Sequence, residues 1–298
     1  MSDVDEPRVG IVIRTKNRPW FLRRALADIV AQRFEGWTAV IVNDGGDPAP
    51  VEQAVTEHSG TANRLRVVHH EAPRGRSAAA NAGLAVLTTE FVVLHDDDDL
   101  WDPDFLRAAV DRLDAHPGDA GVMVRTEIVY EAERDGAFVE VGRAPFWPEM
   151  TSVSYGEFLQ VNRAVPIGHL YRRRLHDELG GYREDLHAVE DWEFTLRVLQ
   201  RYDIGFLGAR PLAFWMQRRG VAGELGNSMF ALAADHDIYD RRVRDEALRA
   251  WVRGQGDGLP LYLARVVRDE VARQLDERLS LGQRAARSLR RLRDRWRR

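Results

Sequence analysis

Short apolar runs rich in β-branched residues alternate with longer segments of helical periodicity over the first hundred residues. This alternation is typical of parallel strands joined by crossover helices. It predicts strands over residues 9–13, 38–42, 65–68 and 91–94. Apolar residues at helical spacing predict helices over about 20–30, 51–58 and 77–86. Asp102 and Pro103 are typical of a helix cap followed by a first-turn proline, and they predict a fourth helix that runs through Leu113.

The later part of the chain changes character. Residues 121–141 are typical of strands without long helices, and residues 142–154 of an irregular loop. A helix is predicted over about 191–200 and a short strand over 212–216, followed by a glycine-bearing loop over 218–227. The remainder is predicted to be helical, with a break at 254–260. The pattern therefore predicts an α/β domain over residues 1–228 and a helical C-terminal extension over 229–298.

The composition is that of a globular protein, with 298 residues of which 44% are hydrophobic and 30% charged. No apolar run reaches the roughly 18 to 20 residues of a membrane span, and the acidic start differs from a signal peptide. We therefore expect a cytoplasmic protein. Cysteine is absent, which excludes thiolate nucleophiles and cysteine-bound metals. Any metal must be held by oxygen or imidazole.

The C-terminal end is strongly basic, with eight arginines against one acid between Arg284 and Arg298. A helical apolar stripe runs through this tail: Leu281, Ala285, Leu289, Leu292 and Trp296. Such a helix is expected either to touch the inner face of an anionic membrane or to pack against the acidic body of the chain. The acidic body disfavours nucleic acid as a partner.

Four consecutive acids, Asp96 to Asp99, follow the fourth predicted strand. Open α/β sheets bind ligands at the carboxyl ends of their strands, where these carboxylates would repel one another without a cation. Mg²⁺ or Mn²⁺ shared with a diphosphate suits this pattern, whereas a calcium hand would need a glycine and a distal glutamate that are absent. The alternative is a solvated acidic turn.

Two further motifs are polar. Glu190 and Asp191 open a predicted helix, where they serve either the helix dipole or general-base chemistry. Residues 14–19 and 43–47 each follow a strand at the same predicted sheet edge, so their side chains either converge on one ligand or form ordinary turns.

Together these segments resemble the inverting glycosyltransferases of family two, which have the GT-A fold. The resemblance covers about residues 8–220. It rests on Arg14-Thr-Lys-Asn-Arg18, Asn43-Asp-Gly45, Gly75-Arg-Ser-Ala-Ala-Ala-Asn81, Asp96 to Pro103, Gly180-Gly-Tyr-Arg183 and Glu190-Asp191. It implies a Rossmann-like, mostly parallel sheet flanked by helices, with a nucleotide-sugar half over about 8–103 and an acceptor half over about 104–228.

The resemblance also implies an activity, the transfer of a sugar from a nucleoside diphosphate donor to a hydroxyl of a glycan or lipid-linked acceptor, as in polysaccharide biosynthesis. Asp98 would hold Mn²⁺ or Mg²⁺, and Asp191, beside Glu190, would be the general base. The implied donor site comprises Thr15, Lys16, Asn17, Arg18, Asp44, Arg76, Asn81, Asp96 and Asp97. We expect UDP or dTDP rather than GDP.

Three positions depart from the family pattern. Lys16 replaces an aromatic residue that stacks on the base, Arg14 replaces a proline, and Ala80 replaces an arginine. An arginine for the diphosphate would then come from elsewhere, with these candidates: Arg74, Arg76, Arg218 and Arg219. His169 and His236 are candidates for a further metal ligand.

On the acceptor side, we expect some of five aromatic residues to stack on sugar rings and others to lie in the core: Trp147, Tyr155, Phe158, Trp192 and Trp215. The loop over 218–226 could close over the donor and exclude water. Two other functions stay open, a nucleotidyltransferase that makes nucleotide sugars and a non-catalytic binding module of the same fold. The first would require a glycine-rich phosphate loop, which residues 14–19 lack.

Overall fold

A computed structural model describes residues 6–218, 221 and 233–278. Its first half consists of β1 (Val9–Thr15), α1 (Pro19–Val30), β2 (Trp37–Asp44), α2 (Pro48–Thr56), a 3₁₀ turn (Ser59–Arg64), β3 (Leu65–His70), α3 (Arg76–Ala85), β4 (Phe91–Asp96), β5 (Leu100–Trp101) and α4 (Phe105–Ala115). The second half consists of β6 (Gly121–Val124), β7 (Thr126–Arg134), β8 (Ala137–Pro145), α5 (Tyr155–Gln160), a 3₁₀ turn (Pro166–Gly168), β9 (His169–Arg172), α6 (Arg174–Leu179), α7 (Glu190–Leu199), β10 (Ile204–Leu207), β11 (Ala213–Gln217), α8 (Ala233–Gln255) and α9 (Gly258–Arg278).

A seven-stranded, mostly parallel sheet carries the fold, with the order β10-β6-β9-β4-β1-β2-β3. All seven residues of β1 are buried, as expected for a central strand covered by helices on both faces. The chain proceeds from β1 through β2 to β3 on one side, and then returns to place β4 on the other side of β1. The strand order therefore reverses between β1 and β4, which is where open α/β sheets bind ligands.

Helix α3 lies unusually close to this sheet because its inner face is built of small residues. A Cβ atom added to Gly83 would come within 2.4 Å of Val12 Cγ1, and Ala79 and Ala80 are buried beside it. The close approach places the start of α3, with Arg76, beside the ends of β1 and β4.

A second sheet has the order β5-β11-β7-β8. Strand β8 continues to Pro145 and pairs with β7, so the predicted loop over 142–154 begins four residues later than expected. The glycine and proline of this segment favour a loop when the sequence is considered alone, but both residues are compatible with an edge strand.

The start of α4 also differs from the prediction. The helix begins at Phe105, and the carboxylate of Asp102 accepts a hydrogen bond from the Asp104 N–H while it pairs with Arg210. Asp102 therefore forms a turn before the helix rather than its cap. The strands β9 and β10 and the short helices α5 and α6 were not predicted, because each has only four to six residues, too few to show a period.

The described residues divide into two compact units, with the division between Asp240 and Arg241. Helices α8 and α9 meet at residues 256–257, within the predicted break. Among the helices that the structure describes, none is long and apolar enough to cross a membrane. The arginine-rich tail and most of the predicted loop over 218–227, including Arg219, lie outside the described residues.

Candidate active site

A cavity of about 540 Å³ opens at the carboxyl ends of β1, β2 and β4. Its floor is formed by the strand ends and its far wall by the start of α7. Thr15, Asp44 and Asp96 end their strands and line the cavity together with Glu190 and Asp191. The expected convergence of the polar strand ends is therefore present.

The consecutive acids after β4 are buried and held by arginines. Asp97 accepts a hydrogen bond from the Thr15 hydroxyl at 2.7 Å and pairs with Arg18 at 2.9 Å. The Asp98 carboxylate pairs with Arg18 at 2.6 Å and with Arg218, which is fully buried. Two guanidinium groups thus contact the carboxylate to which the resemblance assigns a cation.

Burial and mutual repulsion act strongly on this cluster. Burial raises the pKa of Asp97 to about 7, although the charge of Arg18 opposes the rise. Burial, followed by the charges of Asp98 and Asp96, raises the pKa of Asp99 well above its ordinary value. The arginines therefore do not neutralise the cluster fully, and a further positive charge would be stabilised there.

A divalent cation is compatible with this donor set. No group of three histidine or acidic side chains in the described part of the chain is arranged to hold a metal. Mg²⁺ and Mn²⁺ need only one or two protein carboxylates when phosphate and water complete their shell. Asp98, with Arg18 and Arg218 in contact, would have to exchange at least one guanidinium for the ion.

The second acidic motif is aimed into the cavity by a strained turn. Val189 precedes α7 with a φ of +60°, a left-handed conformation that is costly for a β-branched residue. The turn brings Glu190 and Asp191 to the cavity wall. A strained backbone of this kind persists only where the surrounding structure holds it in place.

Asp191 is half-buried and accepts a hydrogen bond from the Asn162 side chain at 3.2 Å. Burial, followed by the negative charge of Glu190, raises the pKa of Asp191 to about 6. A carboxylate with a pKa close to neutrality both takes up and releases a proton readily, as a general base must.

Asp44 is held as an acceptor at the end of β2. Its carboxylate accepts hydrogen bonds from the backbone N–H groups of Arg74 and Gly75 at 2.8 and 2.9 Å, and it contacts the His70 ring at 2.7 Å. Although burial opposes it, these contacts lower the pKa of Asp44. The turn that follows needs Gly45, whose φ is +74° and whose Cβ position would overlap Pro73.

The sequence matches the family model for glycosyl transferase family 2 over residues 10–180. The chain belongs to glycosyl transferase family 2. It is also similar to the uncharacterized glycosyltransferase YwdF of Bacillus subtilis, with 31% identity over 279 residues that cover 86% of this chain and 97% of YwdF. The protein is therefore a glycosyltransferase, as the sequence motifs predicted.

Solved structures confirm the GT-A fold. Residues 1–349 of Staphylococcus aureus TarS, in a complex with UDP-GlcNAc, superpose with a TM-score of 0.60 at 19% identity, over 85% of this chain and 75% of that one. The mannosyltransferase PcManGT of Pyrobaculum calidifontis, in a complex with GDP-Man and Mn²⁺, gives a TM-score of 0.50 at 24% identity, over 72% and 57%.

Most of the residues predicted from the family 2 resemblance line the cavity: Thr15, Lys16, Arg18, Asp44, Arg76, Asp96, Asp97, Asp98, Glu190 and Asp191. Asn17 and Asn81 do not. Asn17 accepts a hydrogen bond from the Asp47 N–H at 3.2 Å and so supports the turn after β2. Asn81 donates to the Tyr182 carbonyl at 2.8 Å and accepts from the Tyr182 N–H at 2.9 Å, so it ties α3 to the turn that follows α6.

Some of the candidate arginines and histidines line the cavity and others do not. Of the arginines, Arg76 lines the cavity, whereas Arg74 lies near Glu184 at the surface. His236 lines the cavity, whereas His169 is buried in β9 and burial lowers its pKa to about 3.

Apolar residues from the second half of the chain line part of the cavity. Trp147, Trp192 and Trp215 line it as expected, but Tyr155 and Phe158 do not. Several lining residues were not predicted because they lie in loops or at strand ends without a motif: Phe146, Val161, Asn162, Ala164, Val165, Pro166 and Gln217. Asp99, the last of the four consecutive aspartates that the sequence singles out, also lines the cavity.

Proposed function

We propose that the protein is a metal-dependent, inverting glycosyltransferase that moves a sugar from a nucleoside diphosphate donor to a hydroxyl of a glycan or lipid-linked acceptor. One observation carries the proposal: the Asp96–Asp99 cluster and Asp191, whose pKa is raised to about 6, line the same cavity. Inversion requires a donor site and a separate base, and the two acidic motifs reach the cavity from different elements, the end of β4 and the start of α7.

On the donor side, Asp44 and Lys16 would contact the base, and Thr15, Asp96 and Asp97 the nucleoside. A divalent cation at Asp98 would neutralise charge on the diphosphate as the sugar leaves. Arg76, which lines the cavity with its side chain 26% exposed, would contribute positive charge. The UDP-GlcNAc complex of TarS and the complex of PcManGT with GDP-Man and Mn²⁺ support a nucleotide sugar and a metal.

On the acceptor side, Asp191 would take the proton of the attacking hydroxyl, while the Asn162 amide holds the carboxylate in place. Trp147 and Trp215 would form apolar walls against the acceptor ring. An attack in line with the departing diphosphate inverts the anomeric carbon without a covalent intermediate on the enzyme.

The proposal is tested by thermal unfolding with UDP, dTDP, GDP and CDP, each with and without Mn²⁺. At a hundred times its dissociation constant, a nucleotide should add about 2.7 kcal/mol of stability. We expect a metal-dependent rise in Tm with UDP or dTDP.

The same measurement on Asp98→Asn should show no metal-dependent rise. Asp111→Asn is the matched control, because it removes an exposed carboxylate on α4 and should respond like the wild type. A metal response that survives in Asp98→Asn would place the cation elsewhere, and no response to any nucleotide would contradict the donor site.

A further inference from the structure

Arg14, the sixth residue of β1, joins three elements at the cavity. Its Nε and Nη2 atoms donate to Asp96 Oδ1 at 2.9 and 2.5 Å, which holds the end of β4. Its Nη1 atom donates to Glu190 Oε1 at 3.2 Å and to the Arg76 carbonyl at 3.4 Å, which holds the starts of α7 and α3. Arg14 is only 8% exposed, so water cannot take over these contacts.

Glu190 is the residue through which Arg14 could reach the base. Its side chain is 2% exposed, and its Oε1 atom is shared between Arg14 at 3.2 Å and Arg76 at 3.3 Å. The Oε2 atom is buried and has no hydrogen-bond partner among the described residues. A buried carboxylate with one unsatisfied oxygen depends strongly on the cations that remain.

The charge of Glu190 acts directly on its neighbour in the chain. After burial, Glu190 is the largest cause of the raised pKa of Asp191. The other titratable groups near this pair are Arg76 on α3, Tyr182 before α7 and His236 on α8. Arg14 and Arg76 are the cations among the groups that contact Glu190 in the described residues, and Arg14 is the more deeply buried.

We propose that Arg14 is a positioning residue, which acts through Glu190 to fix the start of α7 and so holds Asp191 toward the acceptor hydroxyl. The same guanidinium anchors Asp96, so the donor floor and the base are held by one side chain. This inference rests on the proposed role of Asp191 as the base.

The first test needs no substrate. The free energy of unfolding of each protein is compared with that of its Asp191→Asn counterpart between pH 4 and pH 8. The difference between the two free energies changes as Asp191 titrates, and the pH at the middle of this change is the midpoint. In Arg14→Met, the negative charge of Glu190 is less compensated, so this midpoint should move to higher pH. In an Arg14→Met, Glu190→Gln background the shift should disappear.

Arg8→Met is the matched control. Arg8 immediately precedes β1 and also bridges two carboxylates, Glu90 at 2.6 Å and Asp114 at 2.7 Å, but at the opposite end of the strand from Arg14. It should lose stability without moving the midpoint. An unmoved midpoint in Arg14→Met, or an equal shift in Arg8→Met, would overturn the inference.

The second test measures turnover, as release of nucleoside diphosphate from a sugar conjugate of the nucleotide that stabilises the protein. Arg14→Met should lower kcat on the order of 10- to 100-fold, because a misplaced base loses alignment. Arg14→Lys keeps the charge without the forked contact, so it should restore the acid limb of the pH profile and only part of kcat. This variant also serves if the methionine variant does not fold, and a wild-type kcat in it would contradict the positioning role.

The role of Asp191 as the base and the positioning role of Arg14 are tested separately. If Asp191→Asn retains full turnover, the proposed base is wrong whatever Arg14 does. If Asp191→Asn is impaired while Arg14→Met shows neither the pH shift nor dependence on Glu190, only the positioning role is wrong.

Discussion

Replacement of Asp191 by asparagine removes the proposed base with little change in shape. The asparagine oxygen can still accept the hydrogen bond that Asn162 donates at 3.2 Å, so the local packing is expected to persist. Loss of general-base catalysis should lower kcat by about 10²- to 10⁴-fold, which corresponds to about 3 to 5 kcal/mol in the activation barrier. Stabilisation by the nucleotide should be unchanged, because the donor floor is not altered.

The pH profile of the wild type follows from the same group. The pKa of Asp191 is raised to about 6, and only the deprotonated carboxylate accepts a proton. Turnover should therefore reach half of its plateau near pH 6 and level off above about pH 7, with about one tenth of the plateau at pH 5. Asn162→Ala removes a hydrogen bond to the charged form, so it should move this limb to higher pH.

The pH dependence of stability tests the raised pKa of Asp191 independently of turnover. A carboxyl whose pKa is higher in the folded protein than in the unfolded chain stabilises the fold below pH 4, and this contribution is lost as the pH rises to about 6. From 3.8 to about 6, the loss is at most about 3 kcal/mol, less for a half-buried group. Asp191→Asn should therefore gain stability relative to the wild type at pH 8 but not at pH 4.

Two results would refute this reasoning. One is an Asp191→Asn variant that retains more than about a tenth of the wild-type kcat, since general-base loss should exceed that. The other is a stability difference between the two proteins that does not change between pH 4 and pH 8. The first would remove the base, and the second would remove the physical reason for its pKa.

Two further predictions separate binding residues from structural ones. Asn81→Ala leaves the Tyr182 N–H without its partner and should lower the free energy of unfolding by about 1 to 3 kcal/mol, while the affinity for the nucleotide is unchanged. A large loss of nucleotide affinity at normal stability would instead assign Asn81 to the donor site. Lys16 is the only lysine in the chain and lines the cavity, so after ¹³C-methylation its single side-chain NMR signal should shift when nucleotide binds, and an unchanged signal would place Lys16 away from the base.

The sequence by itself determined the first half of the fold. The four apolar strands and the helices between them could be predicted because their hydrophobic periodicity is a local property of the sequence, as in the buried runs of β1 and β4. Parallel strands end at one edge, so Thr15, Asp44 and Asp96 could be brought together from the pattern alone. The second half was harder to predict because several of its strands and helices have only four to six residues, and β9 enters the large sheet antiparallel between β4 and β6.

Only the tertiary structure decided what the polar residues contact. Asn81 lies in a motif that implied donor binding, yet it ties α3 to Tyr182, and Arg14 was visible only as a departure from a family pattern. Arg14 and Glu190 are separated by 176 positions in the chain, so no local sequence pattern predicts their contact. The strength of a buried charge depends on which partners surround it and how much water is excluded, and both are set by packing rather than by sequence order.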